Sequence, residues 1–470
     1  MTTPSEDPAG SSPTRRPRRA PGDLPFDFLD AALVEAIATA RQEPAWLVAD
    51  RGAALASFDA LPVEPNQLYT PYLDLRAADL LGARPYTASV DASGGEVPEE
   101  ASALIEVRED GVVNLAVAPD AVELGVLVET FAQALARDPE ALRADLEGAP
   151  GLPADDKLAQ LTRAAWSQGI RVEIPARVRL ERPILVRWLA GTPSTALLTR
   201  TIISAGWGAE ASVVEELLPS GPRIECAEGE AVPQALFAGT LEVRLARDAT
   251  LSVASLQEAG PGHVVFQHRH ATLGEGATMR WALAQLGSRL VRSRIDNRLE
   301  GDRSSLEQVE ILFGSEDQLF DLTTYTRHVG QDTTGDVLAK GALKDRARTY
   351  MKGLATIERS AIGTDSYLGE FAMNLSKQAR SVAIPSLEID QPDCRRAAHS
   401  SSVGPIDEGQ IFYLESRGIP EDEARKFIVL GFLEPVVARI PVEDVQERIR
   451  ARLEAKWAGE RAATAVEVPA

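Results

Sequence analysis

Residues 236–258 read LFAGTLEVRLARDATLSVASLQE. Apolar and polar residues alternate through the first ten, break at the turn-like ARDAT, and alternate again to Glu258. Period two interrupted by a short polar break marks a strand, a turn and a second strand. Residues 264–287 (VVFQHRHATLGEGATMRWALAQLG) repeat the design, and residues 170–189 (IRVEIPARVRLERPILVRWL) carry it upstream. Within this texture four quartets share one pattern of turn residue, small residue, hydroxyl and apolar residue. They are Glu210-Ala211-Ser212-Val213, Asp248-Ala249-Thr250-Leu251, Gly276-Ala277-Thr278-Met279 and Arg303-Ser304-Ser305-Leu306, at spacings of 38, 28 and 27 residues. A turn and a new strand recurring at that interval fit successive coils of a β-solenoid, each stacking on the last. A sandwich or barrel is the alternative, although its hairpins usually recur at shorter spacing.

Outward from this block the texture becomes helical. Residues 1–22 read as a disordered basic tail and 23–168 as a mixed domain opening with two helices broken at Glu43–Pro44, the second carrying Trp46, Arg51 and Phe58. Short strands (SALIEVREDGVVNLAV) and helices (LGVLVETFAQALA, DDKLAQLTRAAWSQG) complete that domain. The solenoid is expected over 169–404, a helical domain over 405–457 and a second disordered tail over 458–470. In the helical domain Asp407 with Gln410 three residues on makes a capping box, Gly418 stops the first helix, and Pro420 opens the next ahead of three acidic residues. The fold class is therefore mainly β, with helical regions at both ends.

A chain of 470 residues can bury large cores, and 44% hydrophobic with 25% charged residues is an ordinary globular composition. The net charge of -21 argues against nucleic acid or anionic membrane as a partner. Arg15, Arg16, Arg18 and Arg19 suggest a twin-arginine signal, but no apolar stretch follows them. The longest apolar runs, such as Phe427–Leu433, are too short to span a bilayer, and the expected location is the cytoplasm.

Catalytic devices are hard to find. A hydrolase would need a serine on a strained elbow with His and acid partners, and HSSSVG at 399–404 offers none. No phosphate-binding loop and no strand–GxGxxG–helix unit occurs. His268 and His270, with His263 nearby, fall at a spacing that can chelate a transition metal; a solvated strand face is the simpler expectation. Cys226 and Cys394 stand far apart and form neither a disulfide framework nor a CxxC pair. Four thiolates for an iron–sulfur cluster cannot come from this chain alone.

The stretch from His399 to Phe432, HSSSVGPIDEGQIFYLESRGIPEDEARKFIVLGF, resembles the SufB/SufD family of the SUF iron–sulfur cluster assembly system over more than twenty positions. Weaker resemblance runs through NRLEGDRSSLEQVEILFG, TYMKGLATIE, PSLEID and RQEPAWLVADRGAALASF, and covers residues 25–456. His399, four residues before Val403-Gly404, is similar to the SufD branch. The SufB branch would carry a cysteine where Glu370 stands and an acidic–His–acidic cluster where Arg395, Arg396 and Ala397 stand. The resemblance implies a right-handed parallel β-helix that pairs with SufB through the two β-helices, and C-terminal helices that dock the ATPase SufC. It implies a non-catalytic scaffold, supplied with sulfur by a cysteine desulfurase. Iron or a nascent cluster would be held transiently at the subunit interface, with no tightly bound cofactor in the isolated chain and a flavin in the complex left open. His399 is then the expected interface ligand, with Cys394 and Glu370 as weaker candidates, and Phe412, Phe427, Ile428 and Phe432 form the expected SufC-docking face. A SufB-like homodimeric scaffold and a β-helix polysaccharide-processing enzyme are the alternatives.

Overall fold

The computed structural model describes residues 19–89, 94–148, 153–220, 233–440 and 442–459. Cys226 and the arginines at 15, 16 and 18 lie outside them. Residues 19–22, expected as tail, are part of the fold: Leu75 donates its backbone N–H to the Pro21 carbonyl at 2.8 Å.

The N-terminal region opens with the expected helix pair, α1 (Ala31–Ala40) and α2 (Ala45–Ala60). Asp30 caps α1 by accepting from Leu33 N–H at 2.8 Å, and Pro44 turns the chain into α2. Next come β1 (Arg84–Pro85), β2 (Ala103–Arg108), β3 (Gly111–Val117), α3 (Pro119–Glu123), β4 (Leu127–Thr130), α4 (Phe131–Arg137), α5 (Pro139–Glu147) and α6 (Lys157–Ala165). The segment LGVLVETFAQALA, expected as one helix, divides. Thr130 forms a capping box with Gln133, so a helix starts at Phe131, and Leu127–Thr130 pair with a strand instead. Arg51 fastens α2 to α6: it is fully buried, paired with Glu43 at 2.7 Å, and stacked 4.1 Å above the Trp166 ring.

Sixteen strands follow, alternating between two walls. They are β5 (Gln168–Ile174), β6 (Ile184–Ala190), β7 (Thr195–Ala205), β8 (Glu210–Pro219), β9 (Ala235–Leu245), β10 (Thr250–Gln257), β11 (His263–Leu273), β12 (Thr278–Gln285), β13 (Leu290–Leu299), β14 (Ser305–Gly314), β15 (Leu319–His328), β16 (Thr334–Leu343), β17 (Arg348–Ile357), β18 (Asp365–Asn374), β19 (Arg380–Ile389) and β20 (Arg396–Pro405). Odd strands stack in one parallel sheet and even strands in the other, which makes a β-solenoid of about eight turns. A sandwich is ruled out by the pairing, since each strand joins the second one along the chain in parallel register.

The quartets are legible in the register. Thr250, Thr278 and Ser305 stack directly on one another, and Thr334, Asp365 and Arg396 continue the column. The first quartet is displaced by two residues, because Glu210 and not Ser212 lies opposite Thr250. Two residues before Glu210, Thr250, Thr278, Ser305, Thr334 and Asp365 the backbone is left-handed, at Gly208, Asp248, Gly276, Arg303, Asp332 and Gly363, with φ between 54° and 73°. Each of these residues donates its N–H to a carbonyl in the turn of the next coil at 2.8 or 2.9 Å. Gly and Asp tolerate that conformation readily, whereas Arg303 carries its strain for the sake of the ladder.

The lumen holds an apolar core with a polar vein. Ile184, Val213, Val253, Trp281, Gln308, Val337 and Leu368 form one inward row, coil by coil. Beside it, Arg269 binds Glu215 at 2.7 Å and Ser255 at 2.8 Å, and Trp281 donates to Asn297 at 2.9 Å. The outer face of the odd-strand sheet lies beneath the N-terminal region. The outer face of the even-strand sheet carries α7 (Glu408–Ser416), α8 (Glu421–Val437) and α9 (Glu443–Trp457). Val429, Leu433 and Val436 join Ala254, Val309 and Ile311 in one core. Lys456 drives its ammonium against the Leu286 and Phe313 carbonyls and against Gln318 Oε1 at 2.8 Å, and burial pulls its pKa down to about 7. No described helix is long and apolar enough to cross a membrane.

Candidate functional site

The two ends of the solenoid differ. At the N-terminal end β4 closes on β5 and β3 closes on β2, both antiparallel. At the C-terminal end β19 and β20 are the last members of their sheets, and among the described residues no strand pairs with their outer edges. Inward positions of this last coil are uncovered: Ile389 is 47% and Val403 40% exposed. Two ten-residue edges beside open apolar positions invite pairing with another chain.

His399 lies in the middle of β20, opposite Leu368, and so terminates the inward row at the mouth of the lumen. Ser400, Ser401 and Ser402 belong to the same strand, whose ladder runs to Pro405, one residue past the expected end of the solenoid. His399 is exposed. Asp407 does cap the following helix, but its side chain accepts from Gly409 N–H at 2.8 Å. Cys394 is a half-buried free thiol in the turn that leads into β20.

Glu370, one coil below Ser401, is buried in the lumen. Its carboxylate reaches across to accept the Ile384 N–H at 3.0 Å, just before Pro385, where the ladder lacks a donor. Burial pushes its pKa up to about 7 against that hydrogen bond, with a contribution from Glu310. Glu310, two coils deeper in the same row, is likewise raised to about 7 by burial, against the charge of Arg269 and a hydrogen bond from Gln285 at 3.4 Å. Glu370 is thus a staple inside the last two coils.

The histidine cluster is corrected. His263, His268 and His270 are all buried, and none lies on a solvated face. His263 is held between the Gly260 carbonyl at 3.1 Å and the Ala190 carbonyl at 2.9 Å. His268 faces Asp156 at 2.9 Å, and His270 bonds Thr272 at 3.1 Å. Asp156, the N-cap of α6, is itself fully buried. Burial opposes its charge, but His268, Arg294 and Arg292 hold its carboxyl far below the usual carboxylate range. This docks the N-terminal region onto the solenoid. Among the described residues no group of three or more His, Cys, Asp or Glu could hold a metal ion.

On the helical domain the four expected docking residues separate. Phe412 and Phe427 are 72% and 58% exposed, and Tyr413, which the sequence reading missed, is 56% exposed beside Phe412. Ile428 and Phe432 turn toward the solenoid and pack on its core, and Lys340 sits 4.7 Å over the Phe432 ring. The helical period would have separated them: Phe427 and Ile428 lie 100° apart on α8.

The family described as "SUF system FeS cluster assembly, SufBD core domain" matches residues 188–432, more than half of the chain. The chain belongs to this SufBD family. Within it the chain is SufD-like: it is 26% identical to the iron-sulfur cluster assembly protein SufD of Bacillus subtilis over 91% of this chain and 98% of that protein. It is also 25% identical to SufBD family proteins of Staphylococcus epidermidis and Staphylococcus haemolyticus, over 89% of this chain and 91% of each of those proteins.

Proposed function

We propose that this chain is a non-catalytic scaffold of a SufBCD-type complex. In this reading the open C-terminal coil pairs with the β-helix of SufB, and the exposed aromatic face of α7 and α8 docks the ATPase SufC. The observation that carries it is the pair of bare edges, β19 and β20, with His399 in the middle of one of them. A partner coil laid on β20 would cover the lumen mouth and bring its own side chains against His399. One imidazole is too few to hold iron, so His399 contributes one ligand to iron or a nascent cluster, and the partner supplies the rest. The iron and sulfur are cargo, sulfur arriving from a cysteine desulfurase; the chain keeps no cofactor of its own, and any flavin belongs to the assembled complex. Cytoplasmic residence is part of the same reading.

Co-expression with SufB and SufC, followed by purification with iron and sulfide assays, tests it. His399→Ala should leave the complex assembled and lower its iron and cluster content severalfold. Unchanged content would remove the ligand role. The bare edges also fit a second copy of this chain. A mass measurement showing a stable homodimer that ignores SufB would move the function to a homodimeric scaffold.

A further inference from the structure

Helix α8 contains a feature that its own fold does not require. Gly431 lies mid-helix on the exposed side, one turn after Phe427, and a Cβ built there would meet nothing within 4 Å. Glycine in a helix interior is destabilising, and nothing in this chain needs the space it leaves. One turn further, Pro435 sits inside the helix. A proline has no N–H to give the carbonyl four residues earlier, which is the carbonyl of Gly431. Phe427, Gly431 and Pro435 share one face at i, i+4 and i+8. Side by side they present an aromatic ring, bare backbone and an acceptor without its helical donor. Gly52 of α2 also has open space beyond it, but Val48 is the sole large apolar residue exposed on that helix, and α2 holds no internal proline.

The exposed charge around this face is mainly acidic, although Arg417 lies 5.2 Å over the Tyr413 ring and the partly buried Arg425 pairs with Glu408 and Glu421. Glu408, Glu415, Glu421, Asp422 and Glu423 are exposed on α7 and α8, while Arg417 is the one exposed cation among residues 407–437. We propose that α8 at Gly431 is the point of closest approach for the ATPase subunit. That subunit would lay a basic surface over Phe412, Tyr413 and Phe427 and donate a hydrogen bond to the Gly431 carbonyl. This inference rests on the docking reading above and adds which atoms set the fit and what charge the partner carries.

The experiment is calorimetric titration of SufC into the full-length chain and four variants, with melting curves of each. Gly431→Ala and Pro435→Ala restore helix-forming residues at open positions, so both should melt at or above the wild-type temperature. Pro435→Ala, which returns the missing N–H, should weaken binding about threefold or more, and Gly431→Trp should weaken it about tenfold or more. Raising NaCl from about 50 to about 300 mM should also weaken wild-type binding, as opposite surface charges require. Wild-type affinity retained within twofold by Pro435→Ala and Gly431→Trp, while Phe427→Ala loses it, would overturn this inference and leave the docking reading standing. Failure of the wild-type chain itself to bind SufC would overturn the docking reading and this inference with it. A patch variant that altered self-association in place of SufC binding would assign the surface to a second copy, which also overturns it.

Discussion

The same repeating coil ends in two ways in this molecule. At the N-terminal end the sheets are closed by antiparallel strands, and Val128 and Phe131 beside the closure are almost fully buried. At the C-terminal end the coil stops, and β19 and β20 face outward with half-open side chains. A solenoid has no intrinsic reason to stop, because each coil exposes the template for the next. One end is capped by the same chain, and the other, left bare and ten residues long, has the form that the proposed pairing requires. The difference teaches where the proposed scaffold function would sit: at the end where the chain's own fold is unfinished.

The largest effect should come from breaking the closed end. Phe131 meets Trp166 edge-on at a centroid distance of 5.2 Å. Phe131→Ala should cost about 3–5 kcal/mol of unfolding free energy by denaturant titration. At the open end Val403→Lys should change the stability of the isolated chain by less than about 0.5 kcal/mol, yet abolish pairing with SufB. A large stability loss there would mean that the last coil is finished within the monomer. Between the ends, Glu310 and Glu370 give the lumen a pH dependence. Each has its folded pKa raised to about 7 above an unfolded value near 4.5. Their contribution is fully present below the unfolded value and is lost as pH rises through the folded one. The isolated chain should lose on the order of 2–3 kcal/mol per group between about pH 4.5 and pH 8. Glu310→Gln should flatten that slope in pH-dependent melting, and an unchanged slope would remove the assignment. The smallest effect is expected for His399→Ala, which should leave the melting temperature of the isolated chain within about 1 °C.

The solenoid was legible in the sequence because its signals are local. Strand alternation and the left-handed turns at Asp248, Gly276 and Arg303 lie within a few residues of one another. The slip at Glu210 arose because the first quartet was matched on residue type, and its turn-like residue falls two positions later in the coil than those of the other three. His268 and His270 were misread for a non-local reason: their cover, Asp156 and its neighbours, lies more than a hundred residues earlier in the chain. Thr130 split an apparent helix because its capping box, local as it is, was masked by the apolar run around it. His399 was found through family resemblance, since a lone exposed histidine carries no geometric signature of a ligand.

The most direct test of the central claim is amide hydrogen exchange across residues 396–404, in the isolated chain and with SufB added. In the isolated chain the N–H groups on the outer edge of β20 have no partner strand, and they should exchange within seconds to minutes. Pairing with SufB should slow them by at least about a hundredfold, while the interior strand β12 stays unchanged. A stable complex in which β20 exchanges as fast as it does alone would contradict the account.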